Sequence, residues 1–574
     1  MLTFLLGLAV LLVGGYLYGK FCERVFQPDR RTTPAYAMAD GVNYVPMKKW
    51  KNALIELLNI AGTGPVLGPI QGILFGPIAF VLIPIGCVLG GAVHDYFSGM
   101  LSLRNKGAQM PGLMQRFMGK GVYQIYNIFV CLLMFLVGVV FIYTPGDMLA
   151  GSVLGLSTSF VNADTGAALG IEAMVPVLVI YGIILAYYLV ATLFPIDKII
   201  GRIYPVFGAI LLLSAVGIFV GLFAGGGIFQ LNEVWGAWPV WASIDNIVPM
   251  FFITVACGIV SGFHSTQACI IARSVNSEFE GRNTFYMMMI FEGFIAMIWA
   301  AAAMVVYNTG VAEAGVTGAV AVVGVVAKNF LGDVGGVIAI LGVVVLAVTS
   351  GDTALRSLRL MLADYFHIDQ VKRVKRIALA LVIFAPVAAV LVYSKLDPNG
   401  FNVLWRYFSF ANETCAVFAF ALISVYLFGK RKPGIMTLVP GCFYMFVVSS
   451  YLLNAKIGFG LEWTVAYFVA GVLTAAYCVL VARVEAASAS RAACLTRKSS
   501  RRRTIRRRRE RRRLRRRPSP ILSRLPAERN SLPRQENSSG RRLAESSASL
   551  LARQFFAPSF FAMSRLRSSR HFAV

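Results

Sequence analysis

The sequence predicts an all-α membrane protein, a polytopic helical bundle of about 13 transmembrane helices. Of its 574 residues, 57% are hydrophobic and only 14% are charged, whereas soluble globular domains carry about 25% charged residues. The apolar residues form repeated stretches of roughly 17–25 residues, the length that a helix needs to cross a hydrocarbon core. These stretches are continuous runs of Leu, Val, Ile, Ala and Gly without alternating polarity, which favours helices over a β-barrel.

The candidate spans follow one another along the chain. The first begins directly after Met1 without a basic segment or a small-residue cleavage site, so we interpret it as an uncleaved span and not a signal peptide. The segment 308–333 is open to two interpretations, because Gly318–Val326 could also dip into the membrane. The predicted spans cover residues 2–18, 54–74, 75–101, 122–143, 175–194, 203–224, 247–267, 284–307, 334–351, 377–393, 403–428, 436–453 and 463–482.

The basic residues between the spans predict the orientation of the bundle. With the N-terminus outside, 25 of the 29 Lys and Arg residues before residue 485 lie on connections that face the cytoplasm. The opposite connections carry only Lys328, Lys395 and Lys456, and Arg406 lies within a span. Because cytoplasmic loops are enriched in Lys and Arg, this distribution predicts an inner (plasma) membrane protein with its N-terminus outside and its C-terminus in the cytoplasm.

Two of the spans are interrupted by residues that break helices. Residues 61–72 of the second span contain two prolines and four glycines, and the seventh span is interrupted at Gly258 and Gly262. Discontinuous helices form substrate and ion sites at the midplane of secondary transporters; a kinked structural helix that packs closely at glycine is the alternative. The candidate substrate-binding residues are Gly62, Thr63, Gly64, Pro65, Gly68, Pro69, His264 and Gln267.

The spacing of the interrupted spans predicts an internal repeat. The seventh span lies five spans after the second, and this odd offset makes the two cross the membrane in opposite directions. We therefore expect a transporter core at 54–428 built from two inverted five-helix repeats, 54–224 and 247–428. An additional N-terminal helix within 1–20 and additional C-terminal helices within 436–483 would flank this core.

Two groups of polar residues are candidates for ion coupling. The ninth span ends in hydroxyl and carboxylate groups that suit Na⁺ or carry a proton; a plain ion pair between Asp352 and Arg356 is the alternative. The third span contains a His–Asp pair that can exchange a proton near neutral pH, or merely form a packing hydrogen bond. The candidate ion-coupling residues are Thr349, Ser350, Asp352, Thr353, His94 and Asp95.

Further ionisable residues lie within the predicted spans. They are Glu56, Glu292, Arg406 and Glu413. Because a charge at the midplane costs at least about 2.5–3.5 kcal/mol on insertion scales, we expect each to face a partner or a water-filled route.

The sequence contains no motif of an enzyme or an ATP-driven pump. P-loop, G-x-S-x-G, H-E-x-x-H and EF-hand patterns are absent, and the nine cysteines have no C-x-x-C spacing. We therefore expect no catalytic residue, no cofactor and no metal site. A membrane-embedded sensor that binds a nutrient without moving it is the alternative to a transporter, although no cytoplasmic signalling domain is recognisable.

Several short patches, in the same order along the chain, resemble the carbon starvation protein A family of inner-membrane transporters. The resemblance extends from about Met1 to Arg483, and it is specific because so many patches coincide. The patches are Tyr44–Pro46, Gly62–Pro69, Gly91–Asp95, Ser102–Gly107, Ser261–Ala268, Ile271–Arg273, Glu278, Glu292–Gly293, Ser350–Arg356 and Trp405–Asn412.

The resemblance implies a secondary transporter whose fold is related to the amino acid–polyamine–cation superfamily. Members of the family import peptides or pyruvate, the latter with protons, during nutrient limitation. The implied partners are a small peptide or pyruvate-like carboxylate, the lipid bilayer, and H⁺ or Na⁺ as the coupling ion. The family motifs place site residues at Gly62, Gly64, Pro65, Gly68, Pro69, His94, Asp95, His264, Gln267, Ser350, Gly351, Asp352 and Thr353.

The C-terminal segment 484–574 differs from the rest of the chain. Residues 485–574 carry a net charge of +20 out of the total of +27, mostly as arginine. The segment could be a disordered tail held to anionic lipid, or the translation of a wrong reading frame, because the composition changes abruptly after Arg483. Nucleic-acid binding through phosphates is not favoured, since the arginine run 501–517 contains no aromatic residue for stacking.

Overall fold

The computed structural model describes residues 1–41, 44–162, 168–193, 197–235, 238, 246–314, 317–370 and 372–486. Within these ranges the structure consists of helices and their connections, and the only β-type pairing is an isolated bridge between Val161 and Ala168. The predicted all-α class is therefore confirmed. The predicted tail, 484–574, lies outside the described residues from residue 487 onward.

The helices are numbered here in chain order. They are α1 (Leu2–Phe26), α2 (Pro34–Ala37), α3 (Lys49–Ile60), α4 (Gly64–Phe75), α5 (Ala79–Arg104), α6 (Met110–Phe117), α7 (Lys120–Val153), α8 (Ile171–Leu193), α9 (Asp197–Ala224), α10 (Ile247–Ile259), α11 (Gly262–Ile271), α12 (Glu278–Asn308), α13 (Ala319–Tyr365), α14 (Arg373–Leu396), α15 (Gly400–Gly429), α16 (Ile435–Asn454) and α17 (Trp463–Ala486).

The observed helices agree with the predicted spans. Within the described residues, 11 helices are long and apolar enough to cross a membrane, or up to 12 when the bent pair α3 and α4 counts as one span. The remaining predicted span, 203–224, falls within α9. The predicted C-terminal additions correspond to α16 and α17.

Helix α13 includes residues 319–333 of the segment that precedes the ninth predicted span. It begins at Ala319 and continues to Tyr365, with non-helical backbone at Gly332, whose φ of 69° and ψ of 177° suit a residue without a Cβ. The predicted span 334–351 is thus the part of α13 that follows this kink, and residues 319–331 form a separate helical arm before it.

Both predicted breaks are present in the backbone. Helices α3 and α4 are bent by 49° relative to each other across Ala61–Thr63. Pro65 lies in the first turn of α4, where a missing N–H costs nothing because no intrahelical partner exists there. Between α10 and α11, Val260 and Ser261 adopt extended conformations.

The two broken spans pack against each other through small residues. Helix α4 packs on α10, and α3 packs on α11. A side chain at Gly64 would collide with the Cβ of Cys257, and a Cβ at Gly258 would lie 3.3 Å from the Pro69 ring. The first half of each span thus faces the second half of the other, as expected for two spans that cross the membrane in opposite directions. This pairing agrees with the inverted repeat, which stays a prediction.

Two further helices enclose the broken spans. Helix α5 packs on α11 and α12, and α12 packs on α3 and α4. Helix α5 also approaches α10 closely, where Gly91 meets the carbonyl oxygen of Ile259 at the end of α10. We call α3, α4, α5, α10, α11 and α12 together the broken-helix bundle.

A methyl group at Gly91 should destabilise this bundle. In Gly91→Ala the new Cβ would collide with the Ile259 carbonyl, and overpacking of this kind costs about 1–3 kcal/mol. We expect a lower thermal midpoint in detergent, measured by size-exclusion chromatography after heating. Gly182→Ala on α8 is the matched control, because nothing lies within 4 Å of its Cβ position. Equal midpoints for the two variants would contradict the close approach.

Candidate functional site

Five titratable side chains are buried together inside the broken-helix bundle. Glu56 comes from α3, His94 and Asp95 from α5, His264 from α11 and Glu292 from α12, and each is 0% exposed. We call these five residues the buried charge cluster. Burial of ionisable groups is costly unless they are paired, protonated or hydrogen-bonded, so their arrangement is the chemically distinctive feature of the bundle.

Asp95 is placed between two histidines. Its Oδ1 lies 2.8 Å from Nδ1 of His94, and its Oδ2 lies 3.0 Å from Nδ1 of His264. The sequence suggested His94 and Asp95 for ion coupling and His264 for substrate binding. The structure joins these two groups, since the Asp95–His264 contact connects α5 to the second half of a broken span.

Each of the two broken spans carries a polar atom that has no partner among the described residues. The Thr63 hydroxyl is buried and unpaired, and it belongs to the residue that caps α4. The Oε1 atom of Gln267 on α11 is also buried and unpaired. Gly62, Gly64, Pro65, Gly68 and Pro69 are all buried.

The second break is held by a side chain from α15. The Oδ1 atom of Asn412 accepts hydrogen bonds from the backbone N–H of Phe263 and from the Ser261 hydroxyl, both at 3.0 Å. Its Nδ2 atom donates to the sulfur of Cys257 at 3.0 Å. Asn412 thus satisfies a free amide at the start of α11 and fixes the end of α10. The sequence contained Asn412 in a family-like patch but did not identify this role.

The polar residues of the ninth span lie on the part of α13 that follows the kink. The hydroxyls of Thr349 and Thr353 donate to backbone carbonyls of the same helix, at 2.9 and 3.1 Å. Asp352 lies 3.6 Å from the Arg356 guanidinium, which is the local ion pair that the sequence left open. The Ser350 hydroxyl is buried without a partner among the described residues.

Phe141 of α7 lies between the first break and α13. A Cβ at Gly62 would be 2.8 Å from the Phe141 ring, and a Cβ at Gly351 would be 3.0 Å from the Phe141 Cβ. The Tyr188 hydroxyl donates to the Phe141 carbonyl at 2.6 Å. An aromatic side chain therefore separates the glycines of the two predicted site segments.

Ion pairs join distant segments of the chain at two further places. At the start of α12, the buried Glu278 binds Arg104 at 2.9 Å and Arg31 at 3.3 Å. Hydrogen bonds from Arg31 lower the pKa of the adjacent Asp29 carboxyl below its usual range. Near the C-terminal end of α7, Asp147 binds Lys395 of α14 at 3.0 Å and accepts a hydrogen bond from Tyr181 of α8.

The family follows from a comparison of the whole sequence. The sequence model of the carbon starvation protein CstA family matches residues 1–189, 167–328 and 301–451. The chain belongs to the CstA family. The resemblance expected from the sequence patches is thereby confirmed.

Individual relatives of this CstA-family chain cover it to different extents. An uncharacterized membrane protein of Haemophilus influenzae is 42% identical over 340 residues, which cover 54% of this chain and 92% of that protein. The pyruvate/proton symporter BtsT of Escherichia coli and the peptide transporter CstA of Helicobacter pylori J99 are each 26% identical, over 52% and 50% of this chain. The matches cover 48% of each of these two relatives, so the chain spans about half of their length.

The fold is also found in a solved transporter structure. It is the crystal structure of MhsT in complex with L-phenylalanine, with a TM-score of 0.51 and 13% sequence identity. The likeness covers 75% of the CstA-family chain and 98% of MhsT. At this identity it shows the fold alone.

Asn412→Ala should weaken the second break. The substitution leaves the Phe263 amide and the Ser261 hydroxyl without their acceptor, and an unsatisfied buried group costs about 1–3 kcal/mol. We expect a lower thermal midpoint, and partial recovery in Asn412→Asp, which keeps the acceptor oxygen. Asn402→Ala on the same helix is the control, because that side chain is exposed and forms a local hydrogen bond to Asn399. A midpoint for Asn412→Ala equal to that of the control would show that Asn412 does not hold the break.

Proposed function

We propose that this CstA-family chain is a secondary transporter that imports a small carboxylate, pyruvate or a short peptide, together with protons across the inner membrane. Three observations support the proposal. They are the membership of the CstA family, the pair of broken spans and the buried charge cluster. Two of the chain's relatives bear the names of a pyruvate/proton symporter and a peptide transporter.

The first break supports the carboxylate part of the proposal. The N-terminus of α4 presents backbone amides that carry partial positive charge, which favours an anionic group. The buried Thr63 hydroxyl at this terminus has no partner among the described residues and can donate to such a group. Pyruvate and peptides both carry a carboxylate, so the same end of α4 suits either substrate.

The observation that carries the proton coupling is the position of Asp95 between His94 and His264. The imidazole group changes its charge near physiological pH, and here it is wholly buried against a carboxylate. A proton added to His264 strengthens the Asp95 contact and therefore ties α5 to α11. Loss of the proton weakens it, so protonation can bias the position of the broken helix.

Purified protein in vesicles tests the proposed activity. We expect labelled pyruvate, or a labelled dipeptide, to accumulate when the pH outside is lower than the pH inside, because proton entry drives uptake. A sodium gradient of the same size at equal pH serves as the comparison for the other coupling ion. Uptake that is the same with every imposed gradient and with none would refute coupled transport.

Asp95→Asn should uncouple uptake from the proton gradient. The amide keeps the shape of the side chain but removes the charge that both histidines contact, and a hydrogen bond to a charged group is worth about 1.5–3 kcal/mol. We expect gradient-driven accumulation to fall about tenfold or more. Asp397→Asn in the α14–α15 connection is the control. If Asp95→Asn accumulates substrate as the control does, Asp95 is not part of the coupling site.

A further inference from the structure

We propose that Glu292 is the second proton-binding partner of His264, so that a proton moves between Asp95 and Glu292 through the two nitrogens of one imidazole ring. The inference rests on the proposed proton-coupled function and names the groups that carry the proton. The sequence showed Glu292 as an acidic residue within an apolar span and as part of a family-like patch, without a role in proton transfer.

The geometry places His264 between two carboxylates from different helices. Its Nδ1 lies 3.0 Å from Oδ2 of Asp95 on α5, and its Nε2 lies 3.6 Å from Oε2 of Glu292 on α12. The second distance is longer than a hydrogen bond, and a small change of the Glu292 side chain brings the two atoms into contact. The Nδ1 atom of His264 is therefore within hydrogen-bond distance of Asp95, and the Nε2 atom is slightly too far from Glu292 for a hydrogen bond.

Among the described residues, Glu292 has no other polar contact that stabilises a charge. It is 0% exposed, and neither of its carboxylate oxygens accepts a hydrogen bond from the described residues. The Nε2 atom of His264 is likewise unpaired. An ionised carboxylate in such a place is costly, so Glu292 is stable either when it carries a proton or when it faces a protonated His264.

The charge balance of the cluster requires a proton on a carboxylate. Glu56, Asp95 and Glu292 contribute three acidic groups, whereas His94 and His264 contribute at most two positive charges. With both histidines protonated, one negative charge would still be buried without compensation. At least one of the three carboxyl groups is therefore neutral in the stable state. Both histidines lie within hydrogen-bond distance of Asp95, so a negative charge on Asp95 is the best compensated of the three.

Apart from His264, the titratable groups that the structure places around Glu292 are carboxyl groups and thiols. The titratable groups that face it are His264 and Asp95, the carboxyl group of Glu56 on α3, and the thiols of Cys87 on α5 and Cys257 on α10. His264 is the basic group in this set, since His94 is turned to the other oxygen of Asp95.

The transfer needs no further reactant. The O–H bond at Oδ2 of Asp95 breaks as an N–H bond forms at Nδ1 of His264, which makes Asp95 anionic and the ring positive. The N–H bond at Nε2 then breaks and an O–H bond forms at Oε2 of Glu292. The ring becomes neutral and keeps its Nδ1 proton toward Asp95. The positive charge of the ring and the negative charge of Glu292 disappear together, so the buried net charge is unchanged.

Glu292→Gln tests the assignment in reconstituted vesicles. We expect loss of uptake driven by an imposed pH gradient, by tenfold or more, while exchange of labelled against unlabelled pyruvate at equal pH continues. Exchange requires a folded protein with an intact substrate site but no net proton movement. Gradient-driven uptake at the wild-type level would overturn the inference and leave the proposed function intact. Loss of uptake and exchange together would also overturn it, because Glu292 would then be required for the fold or for substrate binding.

Glu413→Gln is the matched control. Glu413 on α15 is also 0% exposed, and both of its oxygens are unpaired among the described residues. None of the histidines that the structure describes faces it. We expect this variant to keep its dependence on the pH gradient. A loss as large as that of Glu292→Gln would show that any buried glutamate has the same effect and would contradict the specific role of Glu292.

A conservative variant provides a second measurement. Glu292→Asp keeps a carboxyl group but moves it away from Nε2 of His264. We expect gradient-driven uptake to persist with a shifted dependence on external pH. A pH profile identical to that of the wild type would contradict direct proton exchange with His264.

Discussion

The structure depends on how interrupted helices are satisfied inside a membrane. The hydrocarbon core offers no water to free amides and carbonyls, so a broken span is stable only where other protein groups meet it. Here the breaks of two spans lie against each other, and glycines let their backbones approach. Asn412 then supplies the hydrogen bonds that the start of α11 lacks.

The buried charge cluster occupies the bundle that these breaks create. Asp95, His264 and Glu292 come from three different helices, and each is wholly buried, so a charge on any of them is stable only when another of the group compensates it. A helix that is unwound at Ser261 can respond to a change in the charge of His264, three residues later. The same disruption that weakens the helix therefore places a titratable group where its protonation state affects the geometry of the span.

Much of the fold could be predicted from the sequence, because the length and continuity of apolar stretches determine membrane helices directly. The breaks at residues 61–64 and 258–262 were also visible, since glycine and proline act locally. The site was predicted in part. His94, Asp95 and His264 were named, but they were assigned to separate roles. Asp95 and His264, which are in contact in the structure, lie 169 positions apart in the sequence.

The sequence by itself determined which segments cross the membrane, where two of them are broken and which of them carry acidic or basic groups. These properties follow from local composition and backbone chemistry. Only the tertiary structure decided that His264 contacts Asp95, that Glu292 faces the other nitrogen of its ring and that Asn412 holds the second break. Those contacts join helices that are distant along the chain, and their distances follow from packing that no single segment specifies.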